Sequence, residues 1–294
     1  MPRNRERQAA VTWLMPLGTL IQFMLPRWAV VPVAEIAGAI MHRFFHKGRA
    51  RFEENLRHVL GPDTPEREIR AGSRRLCVHY VLNILDLLRI PVLKRRITTL
   101  VEFDRRVMDR FMADGRGLVI VTAHLGNYDL AGAFLAACGY PISAVIEPVP
   151  GGWARTFNRY RGETAMETIP LTNRSGIARA LLRHRMLALV ADRDLTGNGI
   201  ICPAFDSYRS YPRGPAAYTL RLKPGLMVAC CIFQHKPGRA PYLIEYVPVE
   251  FTPSGNTDAD VDAYTRVIVK AVNGMIRRHP DQWLVFNAGW QQKP

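Results

Sequence analysis

A chain of 294 residues with 48% hydrophobic composition can bury one large core or two modest ones, and no segment has the make-up of a disordered tail. Its formal charge of +15 is a footprint shared with nucleic-acid-binding proteins, yet no recognition motif or RNP-like aromatic strand accompanies it. The longest basic run is Lys94-Arg-Arg96, which argues against nucleic acid as partner. The five cysteines (Cys77, Cys138, Cys202, Cys230, Cys231) show no C-x-x-C and no His-paired zinc spacing, so no metal site is expected and they read as reduced core thiols in a cytosolic setting.

Residues 1–100 hold 17 Lys/Arg against 8 Asp/Glu, a balance of +9 in the first third. Two apolar runs lie there, Val11 to Leu25 and Trp28 to Met41. Each is shorter than the ~20 residues that span a bilayer, and Pro16, Pro26 and Pro32 interrupt them. No small-residue cleavage site closes the first run, unlike a signal peptide. Basic residues at 3, 5, 7, 27, 43, 47, 49 and 51 flank the runs, as in helices lying in the headgroup region of an anionic membrane. This predicts a helical membrane-associating arm over 1–100, peripheral or shallowly inserted. The other reading is ordinary core helices with a solvated charged face. A helix over Arg49–Leu60 is stopped by Gly61-Pro62.

Strands then alternate with helices. Gly117 to Ala123 is an almost uninterrupted apolar, β-branched run, which predicts an interior strand of a parallel sheet. After it, Asn127 is placed to cap a helix from Tyr128 to Cys138, stopped by Gly139 and Pro141. Further expected elements are a strand at 142–146, a basic helix over 152–161, a strand at 167–171 and a helix over 175–185 with Arg183 and Arg185 at its end. A buried strand at 186–191 follows, then a helix from Arg213 to Leu222. Gly225–Phe233 and Tyr242–Glu250 read as a strand pair, and Thr257-Asp-Ala-Asp caps a last helix to Arg278. The rhythm predicts an α/β fold over 101–294, a mostly parallel central sheet flanked by helices, forming one integrated domain with the arm.

The spacing His-x4-Asp occurs twice. His58 to Asp63 sits at a helix exit with no strand before it and reads as a solvated terminus. His124 to Asp129 follows the buried strand, through a glycine turn into a helix, at the carboxyl edge where open α/β sheets put their ligands. His124 there is a candidate base and Asp129 its orienting partner; a capped helix end with a satisfied imidazole is the structural alternative.

Five segments, His124-Leu-Gly-Asn-Tyr-Asp129, Phe157-Asn-Arg-Tyr-Arg161-Gly, Ala191-Asp-Arg-Asp-Leu-Thr196, Pro212-Arg-Gly-Pro-Ala216 and His279-Pro-Asp-Gln-Trp-Leu284, resemble in this order the bacterial lipid A biosynthesis acyltransferases and their actinobacterial relatives, the phosphatidylinositol mannoside acyltransferases. The resemblance spans about residues 10–292, and the Asp-Arg-Asp and Arg-Gly-Pro-Ala segments lean to the mannoside branch. Departures are Tyr128, where the family often has Trp, and Ala204-Phe-Asp-Ser in place of an aromatic pair plus Gly.

The resemblance implies a fatty acyl chain moved from an acyl thioester, acyl-CoA or acyl-carrier protein, to a glycolipid hydroxyl at the cytoplasmic face of the cell membrane, with no cofactor. A phosphatidylinositol mannoside is the leading acceptor, before lipid A precursors and lysophospholipids. A lipid-binding protein of the same fold without catalysis is the reading from a different class. No G-x-S-x-G, Walker loop, G-x-G-x-x-G or Cys beside a base is present, which favours direct transfer over a covalent acyl-enzyme. His124 would then deprotonate the acceptor hydroxyl and Asp129 hold its other nitrogen. Backbone N–H groups at Gly126 and Asn127, or Arg161, would meet the oxyanion. Asp192, Arg193 and Asp194 would bind sugar hydroxyls or a headgroup phosphate, Arg193 bidentately; the alternative for these three is an ion-paired loop.

Overall fold

A computed structural model describes residues 26–93, 96–147, 165–234, 236, 238–287 and 289–293. The apolar run 11–25 and the expected helix over 152–161, Arg161 included, lie outside the described residues.

Three helices come first: α1 (Arg27–Phe44), α2 (His46–Leu60) and α3 (Glu66–Leu93). Val30 and Ala34 bury one face of α1 against α3, and Gly38 lets the backbones close in, since a Cβ there would fall 2.6 Å from the Val78 Cα. No single described helix is long and apolar enough to cross a membrane; α1 and α2 together reach that length but are bent by 97°.

The remainder runs through β1 (Val101–Glu102), α4 (Arg105–Ala113), β2 (Leu118–Thr122), α5 (Tyr128–Ala137), β3 (Ile142–Ile146), β4 (Glu167–Pro170), α6 (Arg174–Leu182), β5 (Met186–Val190), β6 (Ile200–Ala204), β7 (Ser207–Tyr211), α7 (Gly214–Leu222), β8 (Gly225–Phe233), β9 (Tyr242–Pro248), α8 (Thr257–Arg278) and β10 (Trp290–Gln291). Among the ends that differ from expectation, two have a visible local cause. Helix α6 stops at Leu182 because His184 takes a left-handed φ of 56°, which turns Arg185 onto Ser143 and Glu167. Helix α8 is capped by Asn256, whose Oδ1 accepts the Ala259 N–H, rather than by Thr257.

Seven strands form one sheet in the order β1-β9-β8-β2-β5-β3-β4, parallel throughout except for the β8–β9 pair. All five residues of β2 are buried at its centre, which is why that run carries no polar alternation. Val119 and Val121 enter an apolar cluster with α6, α7 and α8, whereas Leu118 and Ile120 enter one shared with α1, α3, α4 and α5. Helices thus cover both faces. A small antiparallel sheet, β10-β7-β6, lies beyond the carboxyl edge and brings Trp290 against Phe205 and Trp283.

Candidate active site

Strand register assembles the centre of the site. Thr122 pairs with Val190 across β2 and β5, so two residues further on His124 and Asp192 leave neighbouring strands at the same level. Asp192 Oδ1 lies 2.8 Å from His124 Nδ1, and its Oδ2 accepts the His124 backbone N–H at 2.9 Å and the Trp283 indole N–H at 2.8 Å. Burial alone would raise the Asp192 carboxyl, but the electrostatic attraction to His124 and the hydrogen bonds from His124 and Trp283 outweigh it and hold the group well below the usual carboxylate range. A buried carboxylate on Nδ1 selects the Nδ1–H tautomer and leaves Nε2 with its lone pair. That nitrogen lies 3.2 Å from Arg193 Nη2, a group that can only donate.

The carboxylate hydrogen-bonded to the His124 ring is Asp192, whereas the His-x4-Asp spacing had pointed to Asp129. Asp129 sits in the first turn of α5 and lines the same cavity as His124, while Asp192 is delivered across the sheet. Register is a pairing between distant segments, and spacing along one segment does not report it.

The backbone N–H groups expected to form an oxyanion hole are already committed. Gly126 N–H donates to the Gln282 carbonyl at 2.9 Å and Asn127 N–H to the Cys231 carbonyl at 2.7 Å. Gly126 has φ 64°, and a Cβ there would come within 2.0 Å of the Cys231 oxygen, so only glycine fits this turn. The Asn127 side chain caps α5 through Leu130 N–H, as its place in the sequence suggested.

The three charges after β5 part company. Arg193 faces the cavity and bridges to Glu147 at 3.2 Å. Asp194 turns into its own loop: its oxygens accept the N–H groups of Thr196, Gly197 and Gly199 and the hydroxyls of Thr196 and Ser210. Burial raises its carboxyl, and these bonds more than offset that to leave it below its ordinary value. Both carboxylates are thus spoken for by protein donors, Asp192 by His124 and Trp283 and Asp194 by its loop.

Behind Asp192 stands a buttress that composition gave no reason to expect, although Trp283 belongs to the last of the five segments. Arg209, 2% exposed, lays its guanidinium over the rings of both Trp283 and Trp290, 5.2 and 4.6 Å from their centroids. Trp290 donates its indole N–H to Asn55 of α2. Rather than a solvated helix terminus, His58 packs its ring against Trp290 and reaches Asp206 through Nδ1.

His124 stands between two hollows. One, of about 260 Å³, runs under the sheet past Ile120, Ala144 and Ala188 to Met108, Gly132 and Met166; it is apolar except at a mouth formed by His124, Asp129, Glu147 and Arg193. The other, of about 330 Å³, shares His124, Asp129 and Arg193 and is walled by Tyr80, Asn83, Phe286 and Asn287. Cys230 and Cys231 touch the apolar hollow, but burial pushes Cys230 up to about 12 and Cys231 well above its ordinary value, so neither is a ready nucleophile. Among the described residues, no group of three or more His, Cys, Asp or Glu could hold a metal ion.

The family model described as bacterial lipid A biosynthesis acyltransferase matches residues 2–292. A phosphatidylinositol mannoside acyltransferase of Mycobacterium tuberculosis is 25% identical over 302 residues, covering 98% of this chain and 91% of that protein. One from Mycolicibacterium smegmatis is 27% identical over 254 residues, covering 83% and 80%.

Proposed function

The chain belongs to the bacterial lipid A biosynthesis acyltransferase family, and from that membership we propose that it transfers a fatty acyl chain from acyl-CoA or acyl-carrier protein to a hydroxyl of a phosphatidylinositol mannoside at the cytoplasmic membrane face. The observation that carries the reading is a histidine, locked by a buried carboxylate, with its basic nitrogen at the mouth of a long apolar hollow. The acyl chain lies in that hollow with its thioester carbonyl at the mouth. The acceptor hydroxyl gives its proton to His124 Nε2 as its oxygen attacks the carbonyl carbon. Asp192 stabilises the imidazolium that forms, and the negative charge on the carbonyl oxygen meets Arg193. The C–S bond then breaks and the thiolate takes the proton back from His124. No acyl-enzyme is required, because the acceptor's own oxygen is the nucleophile. The mannoside acceptor is supported by the names of the two mycobacterial relatives.

Helix α1 supplies the membrane seat. Trp28, Ile36, Ile40 and Phe44 form an exposed apolar stripe at helical spacing, opposite the face buried on α3, and Arg43, Lys47 and Arg51 are exposed beside it. Five free cysteines suit a reducing compartment.

The test is transfer of labelled acyl groups from acyl-CoA to purified phosphatidylinositol mannosides, with mass spectrometry of lipids from a strain lacking the protein. His124→Ala should lose at least ~10²-fold of the rate, and His58→Ala little. Thioester hydrolysis with no acylated glycolipid, or equal losses from both variants, would overturn the reading.

A further inference from the structure

A cleft of about 600 Å³ opens where the end of α3, the turn after it and the β8–β9 loop meet the residue leading into α1. Three guanidinium-bearing residues line it: Arg89 from α3, Arg96 from the turn and Arg239 from the loop, with Leu93, Leu100 and Pro26 as apolar walls. Arg89 is buried at 8% exposure, while Arg96 and Arg239 are exposed. Two carboxylates are near. Glu102 lies 3.3 Å from Arg239 and also takes a hydrogen bond from Gln234. Asp86, in an adjoining hollow that shares Arg239, receives the Tyr242 hydroxyl and the Asn127 amide. Three arginines against two carboxylates leave the cleft cationic, and planar guanidiniums brought to one cleft by three segments suit the oxygens of a phosphate.

Position indicates the source of that phosphate. Pro26 opens onto Trp28, which is 80% exposed and begins the apolar stripe of α1. A helix lying in the interface places a cleft at its own start at headgroup depth. The cleft lies on the carboxyl edge of the sheet at the β1 end, three strands and roughly 14 Å from β2, so it is separate from both hollows at His124.

We propose that Arg89, Arg96 and Arg239 form a binding site for the headgroup phosphate of an anionic membrane phospholipid that anchors the enzyme without being its acyl acceptor. The proposal rests on the membrane seating of α1 described above, not on the acyl-transfer chemistry. It is tested by flotation of the full chain with phosphatidylcholine vesicles and with phosphatidylcholine vesicles containing phosphatidylglycerol. Arg96→Gln/Arg239→Gln should bind the anionic vesicles roughly 10- to 30-fold more weakly and the phosphatidylcholine vesicles unchanged. The control Arg106→Gln/Arg116→Gln removes the same charge from exposed positions on α4 and the turn after it and should change anionic binding by less than about threefold. Arg89→Gln, with its melting temperature recorded, tests the buried member. Equal losses from the two double variants would reduce the site to net charge and overturn it. So would a loss on both vesicle types, or intact vesicle binding with a raised KM for acyl-CoA, which would assign the cleft to donor phosphates. A wild-type chain that floats with neither vesicle would defeat the membrane seating itself, leaving the acyl-transfer assay untouched.

Discussion

The Asp192 carboxylate holds His124 at two points, the ring nitrogen Nδ1 and the backbone N–H, while the Trp283 indole N–H donates to one of the same oxygens. Ring orientation, tautomer and backbone position of His124 thus depend on one buried group. Asp192→Asn should lower kcat on the order of 10³-fold with modest change in either KM, because an amide can offer its NH₂ to Nδ1 and reverse the tautomer. Asp129→Asn should stay within about tenfold of wild type. Steady-state kinetics on both variants, with circular dichroism as a fold control, would place the orienting role on Asp129 instead if the two losses came out reversed.

In the proposed mechanism Arg193 meets the charge on the carbonyl oxygen, since the N–H groups of Gly126 and Asn127 are taken by backbone carbonyls. Arg193→Gln should cut kcat by about 10²-fold, and Arg193→Lys should recover part of it. A purely structural loop residue would lower the melting temperature and raise both Michaelis constants together. The kcat-to-KM split for donor and acceptor therefore decides between the two.

The apolar hollow should set chain length. Ala188 of β5 and Ala144 of β3 form part of its wall, and their small side chains keep it open. Ala188→Leu should depress kcat/KM for long acyl-CoA at least ~10-fold relative to a donor several methylenes shorter, since each methylene in an apolar pocket is worth about 1–3 kcal/mol. Competition between two donors of different length reads this directly, and an unchanged ratio would move the acyl chain elsewhere.

His79 gives a pH signature of stability separate from the site. Burial, joined by Arg75 and opposed by Asp281, brings its pKa down from 6.5 to about 4, and its ring packs against Phe233. The folded chain therefore keeps His79 neutral where the unfolded chain would protonate it. Its contribution is fully present above pH 6.5 and is lost as pH falls from 6.5 towards 4, by at most about 3 kcal/mol. His79→Phe should flatten that part of the profile in chemical denaturation at pH 7, 5.5 and 4.5. A wild-type curve already flat over that window would show that the group titrates normally.

Much of the architecture was legible along the chain, because its causes are local. Five buried apolar residues from Leu118 to Thr122 can be satisfied only inside a sheet covered on both faces, and Asn127 caps the helix that follows within its own turn. Gly61 ended α2 where expected, and the stripe from Trp28 to Phe44 has the period of one helix face. What the tertiary structure decided was which of several plausible groups meet one another. Asp192 reaches His124 because β2 and β5 are neighbours in a particular register, and the N–H groups of Gly126 and Asn127 are used up because β8 and the segment after α8 run alongside. These partners are distant in sequence, whereas Asp194 is held mostly by its own loop, with Ser210 of β7 adding one bond. Hydrogen-bonding capacity in a buried site is finite, and only the packed arrangement of distant strands determines who consumes it.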